Sequence, residues 1–253
     1  MTICIAAIGK NSNEEFIIFA TDHMVTTPSG QFEQSIEKFK AINKTTVAMF
    51  SGNALLFQKI MDKLDSKLKD SEYGKLADAI HTSMRDVRIE TFEKEVLGIY
   101  NLKLPELKAF LDKKIENNYV NDMLFKLSAY SLGSAILTVG FKDQSAQITL
   151  ITEYIKVEHR DLNFGAIGSG EAQAINTLMF QKHSKDNDLG TTLYNVYKAK
   201  RNAEVAVGVG KETDMYILHQ KKGLIRIKPS YEKQLDEVYS KELQYGKSSS
   251  VTK

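Results

Sequence analysis

The sequence predicts an α+β protein built as a four-layer αββα sandwich, with an extra helical insertion. Short β-branched runs come in adjacent pairs joined by brief polar turns. Between such pairs lie apolar stripes at helical spacing, two in each of two places. The resulting order is strands, two helices, strands, two helices, strands. Two sheets, each with a helix pair over its outer face, bury all of it, whereas one sheet with every helix on one side would leave a face wet.

Ile3 to Ile8 and Phe16 to Ala20 read as a hairpin across the polar turn Lys10–Glu14, and the second run ends at Thr21-Asp22. Thr26 to Gly30, with Pro28, reads as a loop. Lys38 to Ile42 and Thr45 to Phe50 form a second strand pair around Asn43-Lys44. Ser51-Gly52-Asn53 then opens a helix marked by Leu55, Leu56, Ile60, Met61 and Leu64. A longer helix follows from about Lys75 to Val96. Residues 97–130 form the insertion: Pro105 sits in a first helical turn, and Leu107, Phe110, Leu111 and Ile115 make an apolar stripe. Strands return at 135–141, 147–153 and 164–167. Gly168-Ser169-Gly170 opens a helix, and Leu193, Val196 and Tyr197 mark another. Strands at 205–209, 215–219 and 224–227 close the pattern. The expectation is one domain over 1–229, then a tail over 230–253 that begins amphipathic and ends mobile around Ser248-Ser249-Ser250.

The charge balance excludes several classes of function. The chain has 253 residues, and 34 basic against 32 acidic side chains leave a net charge of +2. That is too little basic excess for a dedicated nucleic-acid binder. No apolar run is long enough to span a membrane, and the start carries no secretory pattern, so a cytoplasmic protein is expected. The single cysteine, Cys4, excludes an internal disulfide and any multi-cysteine zinc site. Five histidines show no paired ligand spacing, and no metal or cofactor is expected. Gly165-x-x-Gly168-x-Gly170 lacks the acidic partner of a dinucleotide fold. The stretch Gly208 to Glu212 fails as a phosphate loop because Val205 stands where a glycine is needed.

Several chemistry-bearing residues fall at strand ends. Thr2 follows Met1, Asp22 ends the second strand, Lys38 begins the third, Ser51-Gly52 ends the fourth, and Gly168-Ser169-Gly170 occupies a strand-to-helix turn. With Asp214 at the start of a late strand, this set resembles a proteasome β-type subunit, an N-terminal-nucleophile hydrolase of αββα fold. The opening Met-Thr-Ile-Cys-Ile-Ala-Ala-Ile and the insertion point to a stand-alone prokaryotic branch of that family. The resemblance implies a threonine peptidase or amidohydrolase in which Met1 is removed and Thr2 becomes the nucleophile. The freed α-amino group would serve as base, with Lys38 keeping the site electropositive. It further implies that Asp22 holds Lys38, that the Gly52 N–H faces the oxyanion, and that Ser169 hydrogen-bonds near the α-amino group. Thr26 would bind an extended peptide. An acyl-enzyme resolved by water or an amine gives hydrolysis or ligation.

The implied partners are a peptide or protein substrate and further copies of the chain in a ring, and a possible ATPase partner is left open. The rival expectations are a silent ring subunit or a small-molecule amidohydrolase. One departure stands out. The supporting aspartate and serine of active subunits fall at Ala206 and Val209 here, and Glu204 is the nearest acid.

Overall fold

The structure is a computed structural model describing residues 2–27, 30–34, 36–64, 68, 71–113 and 117–248, apart from the side chains of residues 26, 27 and 246–248. The chain is a mixed α/β protein with two five-stranded antiparallel sheets.

The first sheet contains β1 (Ile3–Asn11), β2 (Glu14–Asp22), β10 (Phe164–Gly168), β11 (Thr213–His219) and β12 (Gly223–Arg226), in the order β10-β1-β2-β11-β12. The second contains β5 (Phe39–Asn43), β6 (Thr46–Ser51), β7 (Ala135–Lys142), β8 (Ser145–Ile151) and β9 (Lys156–Glu158), in sequence order. Side chains alternate across β1 and β2 and feed two cores, as period-2 geometry requires. Cys4, Ala6, Ile17 and Phe19 meet Val47, Met49, Leu137 and Ile148 of the second sheet. Ile3, Ile5, Ile18 and Ala20 meet α5 (Glu171–Phe180) and α6 (Leu189–Ala203) through Ala174, Leu178, Val196 and Ala199. A third core joins the other face of the second sheet to α1 (Ala54–Asp62) and α2 (Tyr73–Phe92) through Ile60, Leu76, Ile80 and Met84.

Several expectations are corrected. The segment read as a loop from Thr26 is a small hairpin of β3 (Met24–Thr27) and β4 (Gly30–Glu33), and Pro28 and Ser29 lie outside the described residues. The strand expected at 205–209 is a pair of turns: the amides of Ala206 and Val209 donate to the carbonyls of Ala203 and Ala206. Val205 and Val207 are exposed there, and Gly208 has a φ of +85° that strand backbone does not adopt. Leu55, assigned to the apolar stripe of α1, is 79% exposed, and Phe57 is buried instead.

The insertion holds α3 (Leu104–Asp112) and α4 (Asn118–Ala129), with Ile115 outside the described residues. Leu107, Val120 and Met123 pack on Phe92 and Leu97 at the end of α2, where one π-helical turn leads out of the helix. Arg88 donates to the carbonyls of Leu127 and Tyr130 and fixes the far end of α4. Residues 229–248 form α7 (Pro229–Ser248), which lies against α6. Tyr197 donates to Asp236, Tyr239 donates to Asn202, and the Tyr239 ring is buried in the α6 core. Residues 249–253, including Ser249 and Ser250 of the expected mobile end, lie outside the described residues.

Candidate active site

Thr2 stands immediately before β1, whose register places Ile3 opposite Gly168 of β10 and Cys4 opposite Thr21 of β2. Asp22 closes β2, and Lys38 leads into β5 on the other sheet. Three side chains therefore meet where the two sheets come together. Lys38 Nζ donates to Thr2 Oγ1 at 2.5 Å and to Asp22 Oδ1 at 2.6 Å. Thr2 Oγ1 donates to the same carboxylate oxygen at 2.5 Å. All three residues are buried: Thr2 is 4%, Asp22 0% and Lys38 5% exposed. The Met24 carbonyl takes a further proton of Lys38 at 2.6 Å, so the ammonium is held from three sides. Lys40, two residues on, enters none of these bonds and is half-buried.

Asp22 is saturated. Oδ1 also accepts from the Ile3 amide at 3.0 Å, while Oδ2 accepts from Gly210 N at 2.8 Å and Met24 N at 3.3 Å. A buried carboxylate needs such donors, because desolvation otherwise costs more than pairing returns. The Gly210 amide is one of three successive amides that meet carboxylates. The next two, of Lys211 and Glu212, donate to Glu33 Oε1 at the end of the β3–β4 hairpin.

Ser169 Oγ donates to the Thr2 carbonyl at 3.4 Å. Gly168 has a φ of +110°, and a Cβ there would lie 2.1 Å from the Thr2 carbonyl oxygen, so only glycine lets β10 approach this closely. Gly52, also at φ +110°, ends β6, and a Cβ there would lie 2.4 Å from Ser134 Oγ. Its link to the site is indirect: Cys4 Sγ donates to the carbonyl of Phe50, two residues earlier, at 3.4 Å. Burial pushes the Cys4 thiol well up, which keeps it a protonated packing residue and not a nucleophile. The Thr26 backbone pairs with Gln31 in the β3–β4 hairpin, and its side chain lies outside the described residues, as does Met1.

Two further side chains lie near this site: His23, which from sequence reads as a surface or core histidine beside Asp22, and Lys200, which escapes sequence reading. His23 Nε2 lies 2.8 Å from Asp214 Oδ2, and Arg226 donates to the other oxygen of Asp214 at 2.5 Å, so Asp214 is engaged in its own ion-pair cluster. Lys200 is 0% exposed. Its Nζ donates to Glu204 Oε1 at 2.7 Å and to the Lys211 carbonyl at 2.5 Å. Glu204, the acid considered as a stand-in for the missing support, is thus taken up by Lys200, with Arg201 at 3.5 Å. The signal for Lys200 lies in the sequence: it follows Leu193, Val196 and Tyr197 at helical spacing, on the stripe that α6 buries. Among the described residues, no group of three or more metal-ligating side chains comes together, and no helix is long and apolar enough to cross a membrane.

No protein-family model matches the chain, and no curated protein matches it. Solved structures do. Anbu (ancestral beta-subunit) from Yersinia bercovieri aligns with a TM-score of 0.68 at 12% identity, covering 100% of this chain and 99% of that one. Anbu from Hyphomicrobium sp. strain MC1 aligns with a TM-score of 0.66 at 14% identity over the same shares. A Gly-1 mutant of the latter gives 0.65 at 13%, again over 100% and 99%. At these identities the likeness shows the fold, which is proteasome-like. It also corrects the resemblance drawn from sequence. The similar structures are Anbu proteins, a proteasome-like but distinct family, and no family model or curated protein supports a proteasome β-type subunit.

Proposed function

We propose that this chain is a threonine hydrolase that cleaves or transfers peptide or amide bonds through an ester on Thr2, once Met1 has been removed. The observation that carries the reading is the closed triangle of Thr2 Oγ1, Lys38 Nζ and Asp22 Oδ1, with sides of 2.5, 2.6 and 2.5 Å. A hydroxyl is a weak nucleophile at neutral pH and needs a base and a fixed cation beside it. In this reading the freed α-amino group takes the hydroxyl proton, and Lys38 stabilises the emerging alkoxide. The new C–O bond gives a tetrahedral oxyanion that faces the Gly52 amide. Its collapse breaks the C–N bond, and the leaving amine departs with the proton held by the α-amino group. Water or a second amine then opens the ester, and Ser169 steadies the Thr2 backbone throughout.

The same reading takes the three cores as supporting four layers in the order helices, sheet, sheet, helices. It assigns the β3–β4 hairpin, with Thr26, to an extended substrate. It also places the protein in the cytoplasm and joins several copies into a ring.

Intact mass and a peptide epoxyketone, which needs both an N-terminal amine and a hydroxyl, test the chemistry. The expected outcome is a chain lacking Met1 that takes one label on Thr2. Thr2→Ala should fold normally and take none, while Thr2→Ser should retain part of the turnover. A chain that keeps Met1 and resists the label would instead fit a silent subunit, the reading that the vacant support positions Ala206 and Val209 favour.

A further inference from the structure

The Asp22 side of the site depends on a stretch with no regular structure. Gly210, which donates to Asp22 Oδ2, lies in the connection between α6 and β11. In that connection Ala206 and Val209 supply no polar side chain. Asp22 and Glu33 accept its last amides, and the side chain that ties its two ends together is Lys200, reaching out of the buried stripe of α6. Its ammonium touches both ends: the Glu204 carboxylate where the helix stops, and the Lys211 carbonyl next to Gly210.

Full burial of a lysine is costly, and an apolar side chain would fill the space beside Val196, Tyr197, Ala199 and Ala203 at no such cost. Burial pulls its proton affinity down, against the pull of Glu204 and of the Asp22 charge, so the ammonium and Asp22 feel one another. Asp22 thus has Lys38 in direct contact, while Lys200 meets the carbonyl of Lys211, the residue after the Gly210 whose amide Asp22 accepts.

We propose that Lys200 is a positioning residue for the threonine site. It braces residues 204–211 so that the Gly210 amide meets Asp22. The inference rests on the threonine-hydrolase reading and gives that site the support its missing aspartate and serine do not provide. Two consequences separate bracing from simple stability. The first is geometric: loosening the brace lets Asp22, and with it Lys38, drift from the hydroxyl. The second is electrostatic: Asp22 and Lys38 are the charged groups in contact with Thr2, and losing the Lys200 cation that interacts with Asp22 raises the proton affinity of the catalytic amine, so more alkaline conditions are needed to free it.

The test is the rate of epoxyketone labelling of Thr2, followed by intact mass over roughly pH 6 to 9, on wild type, Lys200→Met, Lys200→Arg and Glu204→Gln. Lys200→Met is expected to label about tenfold more slowly near neutrality. Its rising limb should move to higher pH by about half a unit or more. Lys200→Arg, which keeps the charge, should return the limb to its wild-type position. Glu204→Gln keeps the cation and frees one end of the brace, so labelling should slow with the limb unmoved. A labelled wild type beside a Lys200→Met variant of equal rate and equal limb overturns this inference alone. A wild type that takes no label on Thr2 removes the hydrolase reading and this inference with it. Should Lys200→Met fail to fold, Glu204→Gln decides, and a wild-type rate there defeats the brace.

Discussion

Asp22 accepts hydrogen bonds from Thr2, Ile3, Lys38, Met24 and Gly210 while fully shielded from water. Removing its cation leaves a buried charge with amide and hydroxyl donors alone. Lys38→Ala is therefore expected to cost about 3–5 kcal/mol, read as a lowered urea midpoint, and to end labelling of Thr2. Lys40→Ala should change stability by less than about 0.5 kcal/mol, and equal losses in the two variants would remove the assigned roles. His183 gives a second residue-scale expectation. Its ring lies 2.9 Å from the Ile8 carbonyl and edge-on to Phe164, and burial lowers its proton affinity. The native state then binds fewer protons than the unfolded chain. The histidine's stability contribution is present above about pH 6.5 and is lost as pH falls from there through the lowered folded value. His183→Gln should flatten that part of the decline in urea midpoints between about pH 7.5 and 5.5, whereas an unchanged slope would assign it elsewhere. Thr2, Asp22 and Lys38 were legible only together: each alone reads as an ordinary strand, turn or solvated residue, and their joint spacing with Gly52 and Gly168-Ser169-Gly170 carries the resemblance that picks them out. Lys200 was not, because Glu204 at i+4 makes it look like one more solvated helix pair.

Elements were legible where their periodicity was clean. The hairpins β1–β2, β5–β6 and β7–β8 follow from alternation and short polar turns. The β3–β4 hairpin was hidden by Pro28 and Gly30, which read as a loop, and β4 exposes all four of its residues while Met24 and Val25 of β3 are only half-buried. The valine-rich 205–209 misled in the opposite way: β-branched residues favour strands only when packing rewards them, and here Val205 and Val207 face solvent. In the insertion, the stripe of α3 covers the end of its own α2. Leu107→Ala, at a site 2% exposed, is accordingly expected to lower the thermal stability of the α2–α4 region by about 2–5 kcal/mol. Leu111→Ala, at 45% exposure, should cost well under about 1 kcal/mol. Hydrogen exchange along α3 and α4 separates the two, and equal effects would mean the stripe packs elsewhere.

For the whole molecule, the cap on α2 uses only one side of the insertion. Tyr119 and Phe125 of α4 remain 67% and 70% exposed, with Ile99 beside the turn into α3 at 79%. Large apolar side chains left exposed on an insertion are candidates for a partner contact. The chain is expected to scatter light as a homo-oligomer, and Phe125→Glu should weaken that assembly without touching the α2 cap. A monomeric wild type would dismiss the ring, and an undiminished oligomer in the variant would move the contact off α4.

The sheet order adds a consequence in time. The strand that carries the nucleophile is interior, flanked by one neighbour that follows at once and by another that begins at Phe164. The clasp on Asp22 arrives later still, with Gly210. A polypeptide still emerging from the ribosome, with its first 160 residues made, holds the threonine, the aspartate and the lysine but neither Gly168 nor Gly210 to set them. The proposed machinery is thus closed only once Gly210 has been made, and until then a growing chain carries Thr2, Asp22 and Lys38 without the contacts that set them.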